Sequence, residues 1–142
     1  MPNNTQSGNT SQSASTKMTN TKSNLENWLN LPPAMQICIQ NCTECYQMCS
    51  HLVDHCLSKG AKHADSTHVK LLLDCARVCN LSADLMIRHS EFHSSVCEVC
   101  AEVCMACADS CESISKDDAM MQACADICRK CATSCVQMAK KH

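Results

Sequence analysis

Cysteines recur every three or four residues along four stretches of this chain, and their sulfur atoms are the groups best able to do chemistry. The sequence contains 16 Cys and 9 Met but only one Trp, one Tyr and one Phe. Thiolates and thioethers are soft ligands that select Cu(I), zinc and iron–sulfur clusters. The pattern therefore predicts soft-metal binding, disulfide formation or thiol redox chemistry.

The cysteines share four stripes with apolar residues, and the steps along each stripe alternate between three and four residues. The first stripe contains Cys38, Cys42, Cys45, Cys49, Leu52 and Cys56; the second His68, Leu72, Cys75, Cys79, Ser82 and Met86; the third Cys97, Cys100, Cys104, Cys107, Cys111 and Ile114; the fourth Met121, Cys124, Cys128, Cys131, Cys135 and Met138. Steps that average 3.5 residues keep a stripe on one side of a helix and favour bundle packing. Since the opposite side is polar, as at Glu98 and Glu102, the thiols are predicted to point inward.

Three short connections, near 59–64, 90–94 and 115–117, make consecutive helices antiparallel neighbours. The predicted fold is all-α: an antiparallel up-down-up-down four-helix bundle with a Cys-lined core. Residues 25–142 are expected to form this single domain. Residues 1–24 are rich in Asn, Ser and Thr and are expected to be a disordered tail.

Capping residues are predicted at three helix starts. Asp65 or Ser66 is expected to cap the second helix. Ser95 with Glu98, and Ser115 with Asp118, have the spacing of capping boxes for the third and fourth helices.

Helical spacing distinguishes between metal binding and disulfide formation. Residues three or four apart on a helix have Cβ atoms about 5–6 Å apart, whereas a disulfide requires about 3.5–4.5 Å. A metal ion that bridges two thiolates through bonds of about 2.3 Å allows the sulfurs to stay roughly 4–4.6 Å apart. The stripes therefore favour metal clamps over disulfides.

Among soft metals the composition favours Cu(I). Zinc requires closed tetrahedral sets, of which 16 Cys could form about four. Cu(I) is a soft ion, and the abundant Met supplies further soft thioether ligands for it. Because two or three sulfurs satisfy each Cu(I), the chain is expected to hold on the order of one ion per cysteine. Buried bare thiolates would be too costly, so each ion is expected to displace about one proton from a neutral thiol.

Two other functions compete with copper storage: general Zn/Cd buffering or detoxification, and a thiol redox protein. The redox alternative is weak because pairs such as Cys42/Cys45 lie within helices, away from the helix N-termini that lower a thiol pKa. A ferritin-like di-iron site requires Glu-x-x-His, which does not occur in the sequence. The chain is not expected to be an enzyme.

Histidine and methionine are expected at both ends of the bundle. The first end gathers His55, His63, His68, Met120 and Met121, and the second Met35, Met86, His89, His93, Met138 and His142. His68 and Met121 fall on the inward stripes and are predicted to be metal ligands beside the cysteines. His51, His63 and His142 are expected to be ordinary solvated side chains. The first end is favoured as the mouth for copper.

Three runs resemble the bacterial copper storage proteins: Cys38-Ile-Gln-Asn-Cys42-Thr-Glu-Cys45, Val96-Cys97-Glu-Val-Cys100-Ala-Glu-Val-Cys104-Met-Ala-Cys107 and Gln122-Ala-Cys124-Ala-Asp-Ile-Cys128-Arg-Lys-Cys131. The resemblance covers about residues 34–140. It implies a four-helix bundle that stores many Cu(I) ions on its cysteines and assembles as a homotetramer. The chain departs from the pattern at Leu52, His68 and Met121, and its third connection lacks a His-rich run.

Charge and the N-terminus limit the partners. The formal net charge of -2 offers no basic surface for nucleic acid or membrane. No export signal or membrane span is read at the N-terminus, so the chain resembles the cytosolic branch of the family and is expected in the cytoplasm. A copper chaperone or a small thiol is expected to deliver the metal.

Overall fold

The computed structural model describes Leu25 and residues 27–140. The chain divides into two units, Met1–Leu31 and Pro32–His142. In the first unit, Leu25 and residues 27–29 are helical. The predicted tail, residues 1–24, lies outside the described residues.

The second unit consists of four long α-helices and one short 3-10 helix. The α-helices are α1 (Pro33–Lys59), α2 (Ser66–Ile87), α3 (His93–Ile114) and α4 (Ala119–Ala139), and the 3-10 helix, Ala61–Ala64, lies between α1 and α2. Across the described part of the chain there is no β-strand. The all-α class predicted from the sequence is confirmed.

Proline and glycine set the limits of α1. Pro33 occupies the first helical turn, where the missing amide costs no hydrogen bond. Gly60 ends the helix with φ 73° and donates its amide to the carbonyl of Cys56. This left-handed conformation favours glycine, so the chain can leave α1 and enter the 3-10 turn.

Contacts between side chains show that neighbouring helices are antiparallel. Cys45 and Cys56 of α1 meet Cys75 and His68 of α2 in reverse order. Between α1 and α4 the order also reverses, from Cys38 with Cys135 to Cys56 with Met121. Helix α2 also packs on α3, and α3 on α4. The four helices therefore form a closed ring around one axis, in the predicted up-down-up-down order.

The helix starts only partly follow the sequence prediction. Asp65 caps α2, as predicted, by accepting a hydrogen bond from the amide of His68. Helix α3 begins earlier than the Ser95 box implies, because the amide of Val96 already bonds to the carbonyl of Phe92. Asp118, and not Ser115, caps α4, since its carboxylate accepts from the amides of Met120 and Met121. Ser115 instead ends α3.

None of the described helices is both long and apolar enough to cross a membrane.

Candidate metal centre

All sixteen cysteines line the axis of the bundle as free thiols. Each has zero exposed surface. The four helices present them unequally: α1 and α3 contribute five each, α4 four and α2 two. The inward direction predicted from the stripes is therefore found at every cysteine, and we call this array the thiol column.

The thiol column is made of overlapping groups. The sets whose sulfur atoms lie within 4.8 Å of one another include Cys38, Cys97 and Cys135; Cys42, Cys100, Cys131 and Cys135; Cys45, Cys79, Cys104 and Cys131; Cys45, Cys49, Cys75 and Cys128; and Cys49, Cys107, Cys124 and Cys128. Each set shares at least one cysteine with the next. The sulfurs therefore form a continuous path, not a row of separate sites.

The spacing between sulfurs suits a bridging metal. Sulfurs on different helices lie 3.6 Å apart at Cys42 and Cys131, and 3.8 Å apart at Cys45 and Cys75. Sulfurs on one helix are 4.0 Å apart at Cys45 and Cys49. With metal–sulfur bonds of about 2.3 Å, two sulfurs on a three-coordinate ion lie about 4.0 Å apart, and on a tetrahedral ion about 3.8 Å. The sulfur separations in the thiol column match these values.

Burial acts to raise the pKa of every cysteine in the column, which favours the neutral thiol over the thiolate. Hydrogen bonding to Cys100 and Cys104, together with burial, raises the pKa of Cys79. Burial and the nearby charge of Asp118 raise the pKa of Cys56 to about 11. A neutral thiol behaves as a small hydrophobic side chain, which explains how a core so rich in cysteine can fold before any metal is bound.

At the first end the column finishes in a mixed group of sulfur and nitrogen. Cys56 Sγ lies 3.5 Å from Nε2 of His68 and 3.7 Å from Sδ of Met121. All three side chains are buried. Nδ1 of His68 is hydrogen-bonded to Oγ of Ser110 at 2.7 Å, which orients the ring toward Cys56. Burial lowers the pKa of His68, so its ring is neutral and able to act as a ligand.

The stripe pattern predicts His68 and Met121 as ligands, and the structure brings both to Cys56. The pattern gives no sign of Ser110, because a serine 42 residues away from its histidine leaves no local signal.

Leucine interrupts the column just inside the first end. Leu52 and Leu72 are the largest fully buried side chains, at the stripe positions between Cys49 and Cys56 and between His68 and Cys75. The stripes of α1 and α2 therefore carry no thiol at these two positions. A second interruption is Ser82 on α2, which is fully buried.

Two histidines and one carboxylate form a separate cluster at the first end. Nε2 of His55 and Nε2 of His63 lie 2.8 Å and 3.0 Å from the same carboxylate oxygen, Oδ2 of Asp118. The two rings meet edge to face, with centroids 6.0 Å apart. The expectation that His63 is an ordinary solvated side chain is not what the structure shows, since only 18% of its side chain is exposed.

At the second end the methionines serve as packing residues. Met86 and Met138 are fully buried, at 0% and 1% exposure, and Met35 packs against the core. His93 is hydrogen-bonded through Nδ1 to the carbonyl of Ser90 at 2.8 Å. His142 lies outside the described residues.

Known proteins resemble this chain in both sequence and fold. The family model described as copper storage protein matches residues 32–140. A protein of Nitrosospira multiformis, Nmul_A1745, is 40% identical with a TM-score of 0.71, over 77% of this chain and 97% of that one. The Cu(I)-bound copper storage protein BsCsp3 of Bacillus subtilis is 34% identical with a TM-score of 0.69, over 75% and 98%.

A cytosolic copper storage protein of Streptomyces lividans is 32% identical with a TM-score of 0.70, over 77% of this chain and 94% of that one. Its structures include one with five coppers and one loaded with ten copper equivalents.

Proposed function

This chain belongs to the copper storage protein family, and from that membership we propose that it stores many Cu(I) ions inside its thiol column. The observation that carries the proposal is the overlap of the cysteine sets. An ion in one set shares a thiolate with the ion in the next, so copper fills the column as linked clusters.

The same overlap argues against zinc as the cargo. Among the four sets of four cysteines, no more than two can be filled by separate ions at once, because neighbouring sets share a cysteine. Zinc in a structural site takes four ligands. Cu(I) is a softer ion that two or three sulfurs satisfy, so thiolates shared between neighbouring ions can complete the coordination of each. The column is better matched to Cu(I) than to Zn(II) or Cd(II).

The ligands we propose are the sixteen cysteines together with His68 and Met121. The cysteines of the overlapping sets act as bridging thiolates, and Cys56, His68 and Met121 hold an ion at the first end. Each Cu(I) replaces about one thiol proton, so the interior stays near neutral while it fills. This exchange avoids the large cost of burying uncompensated charge.

We place the mouth of the store at the first end. There the neutral imidazole of His68 lies beside Cys56, and the partly exposed His55 and His63 lie at the same end. At the second end, buried Met86 and Met138 close the core with apolar surface. An arriving ion therefore meets a buried imidazole beside a thiol at the first end and packed methionine side chains at the second.

The role we propose is storage in the cytoplasm without catalysis, with copper supplied by a copper chaperone or a small thiol. The cytosolic relative from Streptomyces lividans supports this location. We further propose a homotetramer. Exposed apolar side chains on α1 and α2, namely Ile37, Tyr46, Leu73, Leu81 and Ile87, supply a surface on which copies could pack.

Anaerobic titration of the reduced protein with Cu(I), in competition with a chromophoric chelator, tests the proposal. We expect binding of on the order of ten or more Cu(I) per chain, with release of about one proton per ion. A parallel titration with Zn(II) should saturate at a few ions. A chain that retains only two to four ions of either metal is a zinc-type buffer and contradicts copper storage.

A further inference from the structure

Two histidines and an aspartate meet outside the thiol column, at the first end of the bundle. We propose that His55, His63 and Asp118 form a site for a single divalent cation of borderline softness, with Zn(II) as its natural probe. The ligand atoms are Nε2 of both histidines and Oδ2 of the aspartate. The inference goes beyond copper storage, because none of these atoms is sulfur.

The three side chains converge from three separate elements. His55 comes from the last turns of α1, His63 from the 3-10 helix, and Asp118 from the residue that caps α4. Their Nε2–Oδ2 distances are 2.8 Å and 3.0 Å. Two ligands on one tetrahedral zinc ion, each bound at about 2.0–2.2 Å, lie about 3.3–3.6 Å apart. Each histidine–aspartate pair would therefore open by about half an ångström to accept an ion in place of the shared protons.

The carboxylate is fixed and ionised before any ion arrives. Its other oxygen, Oδ1, accepts hydrogen bonds from the amides of Met120 and Met121 at 2.9 Å and 3.4 Å, which turns Oδ2 toward the histidines. Hydrogen bonds from His55 and His63 and from these amides hold the pKa of Asp118 well below its usual range. A ligand held by such outer contacts loses little freedom on binding metal.

Burial and charge also favour a cation here. The side chains of His55, His63 and Asp118 are only 17%, 18% and 11% exposed, so a bound ion would be partly shielded from water. Across residues 27–140, both ion pairs of Asp118 are with histidines, so no lysine or arginine neutralises it. Water would complete the coordination as a fourth ligand.

The chemistry of the donors separates this site from the column. Imidazole nitrogen and carboxylate oxygen suit zinc and similar divalent ions, whereas soft thiolates select Cu(I). Copper at saturation should therefore leave the His55–His63–Asp118 site free for a divalent ion. A bound ion would tie the end of α1, the 3-10 turn and the start of α4 together.

The test uses the copper-loaded protein, in which the thiols are already occupied. Equilibrium dialysis against Zn(II) under anaerobic conditions, followed by metal analysis, should find one zinc per chain in addition to the copper. His63→Gln and Asp118→Asn should weaken zinc binding at least about tenfold, while the copper count stays unchanged. Asn preserves the cap of α4, so Asp118→Asn removes the charged ligand without removing the helix start.

His51→Gln is the matched control, because His51 is exposed on the same helix as His55 and should bind zinc as the unmodified protein does. If the copper-loaded chain takes up no zinc, or if His63→Gln binds it equally well, the proposed site is wrong. The copper count in the same samples reports separately on storage.

A second readout does not require copper loading. The imidazole 15N resonances of His55 and His63 should shift together on addition of Zn(II), and those of His51 should not. If both resonances stay in place in the apo-protein and in the copper-loaded protein, His55 and His63 only hydrogen-bond to Asp118 and the proposal fails.

Discussion

Cys56 Sγ and His68 Nε2 lie 3.5 Å apart at the first end of the bundle, and both side chains are buried. Burial acts on the two groups in opposite directions, since it raises the pKa of the thiol and lowers that of the imidazole. Both groups are therefore neutral in the metal-free protein at pH 7. A neutral thiol beside a neutral imidazole can lose its proton as Cu(I) arrives, with no buried charge beforehand.

The raised pKa of Cys56 makes the stability of the apo-protein depend on alkaline pH. The thiol has a pKa of about 11 in the folded protein against an ordinary value of 9.0, so the folded state binds the proton more tightly. This contribution is complete below about pH 9 and is lost as the pH rises through 11. We expect the free energy of unfolding to fall by about 2 kcal/mol more than in Cys56→Ser over this range, measured by urea unfolding under reducing conditions. Equal slopes in both proteins would contradict the assignment.

Cysteines that belong to two sets should matter more for capacity than those that belong to one. Cys131 is a member of two of the sets named above, whereas Cys97 belongs to one. We expect Cys131→Ser to lose about two Cu(I) and Cys97→Ser about one, counted by anaerobic titration. Both substitutions place a hydroxyl in the same buried core, so each controls for the effect of the other on folding. Equal losses would indicate separate sites instead of linked clusters.

Leu52 occupies a stripe position that could hold a thiol. Leu52→Cys should add about one Cu(I) to the capacity, because the new sulfur would face the column next to Cys49 and Cys56. The apo-protein should lose about 1–2 kcal/mol of stability, since a smaller side chain leaves a cavity. Leu57→Cys is the control: Leu57 is on the same helix but 57% exposed, so its thiol should add no copper that resists a competing chelator. A gain from Leu57→Cys as large as that from Leu52→Cys would refute the inward geometry.

Ser82 and Ser134 form a matched pair for the cost of a buried hydroxyl. Within the described part of the chain, Oγ of Ser82 is the buried side-chain oxygen that lacks a hydrogen-bond partner. Oγ of Ser134 accepts from Asn41 at 3.2 Å and donates to the carbonyl of Cys131 at 2.9 Å.

We expect Ser82→Ala to stabilise the apo-protein by about 1 kcal/mol and Ser134→Ala to destabilise it by a similar amount, measured by urea unfolding. Copper capacity should not change in Ser82→Ala. Destabilisation by Ser82→Ala would mean that its hydroxyl has a partner in solution.

The fold and the thiol column could be predicted because their information is local. A spacing of three and four residues fixes which side of a helix is buried, and four such stripes with short connections leave one simple arrangement. For the same reason, the inward positions of His68 and Met121 could be read from the sequence by counting from Cys75 and Cys124.

Contacts between distant parts of the chain could not be predicted in this way. His55 and His63 meet Asp118 from 63 and 55 residues away, and no periodicity connects them. The choice of Asp118 over Ser115 as the cap of α4 was also missed. Both residues are good caps, so which of them caps α4 depends on where α3 ends. The amide of Ser115 donates to the carbonyl of Cys111, so Ser115 belongs to the end of α3.

The sulfur separations of 3.6–4.0 Å in the thiol column match those on a bound ion, so a filled column needs no other spacing of the helices. An empty molecule and a full one would have almost the same outline, differing in mass and density but hardly in shape. Any cellular component that recognises only the outside of the bundle would therefore be unable to tell how much cargo it carries. Such a component could sense the amount of bound copper only at the first end, where the outermost ion is either present or absent.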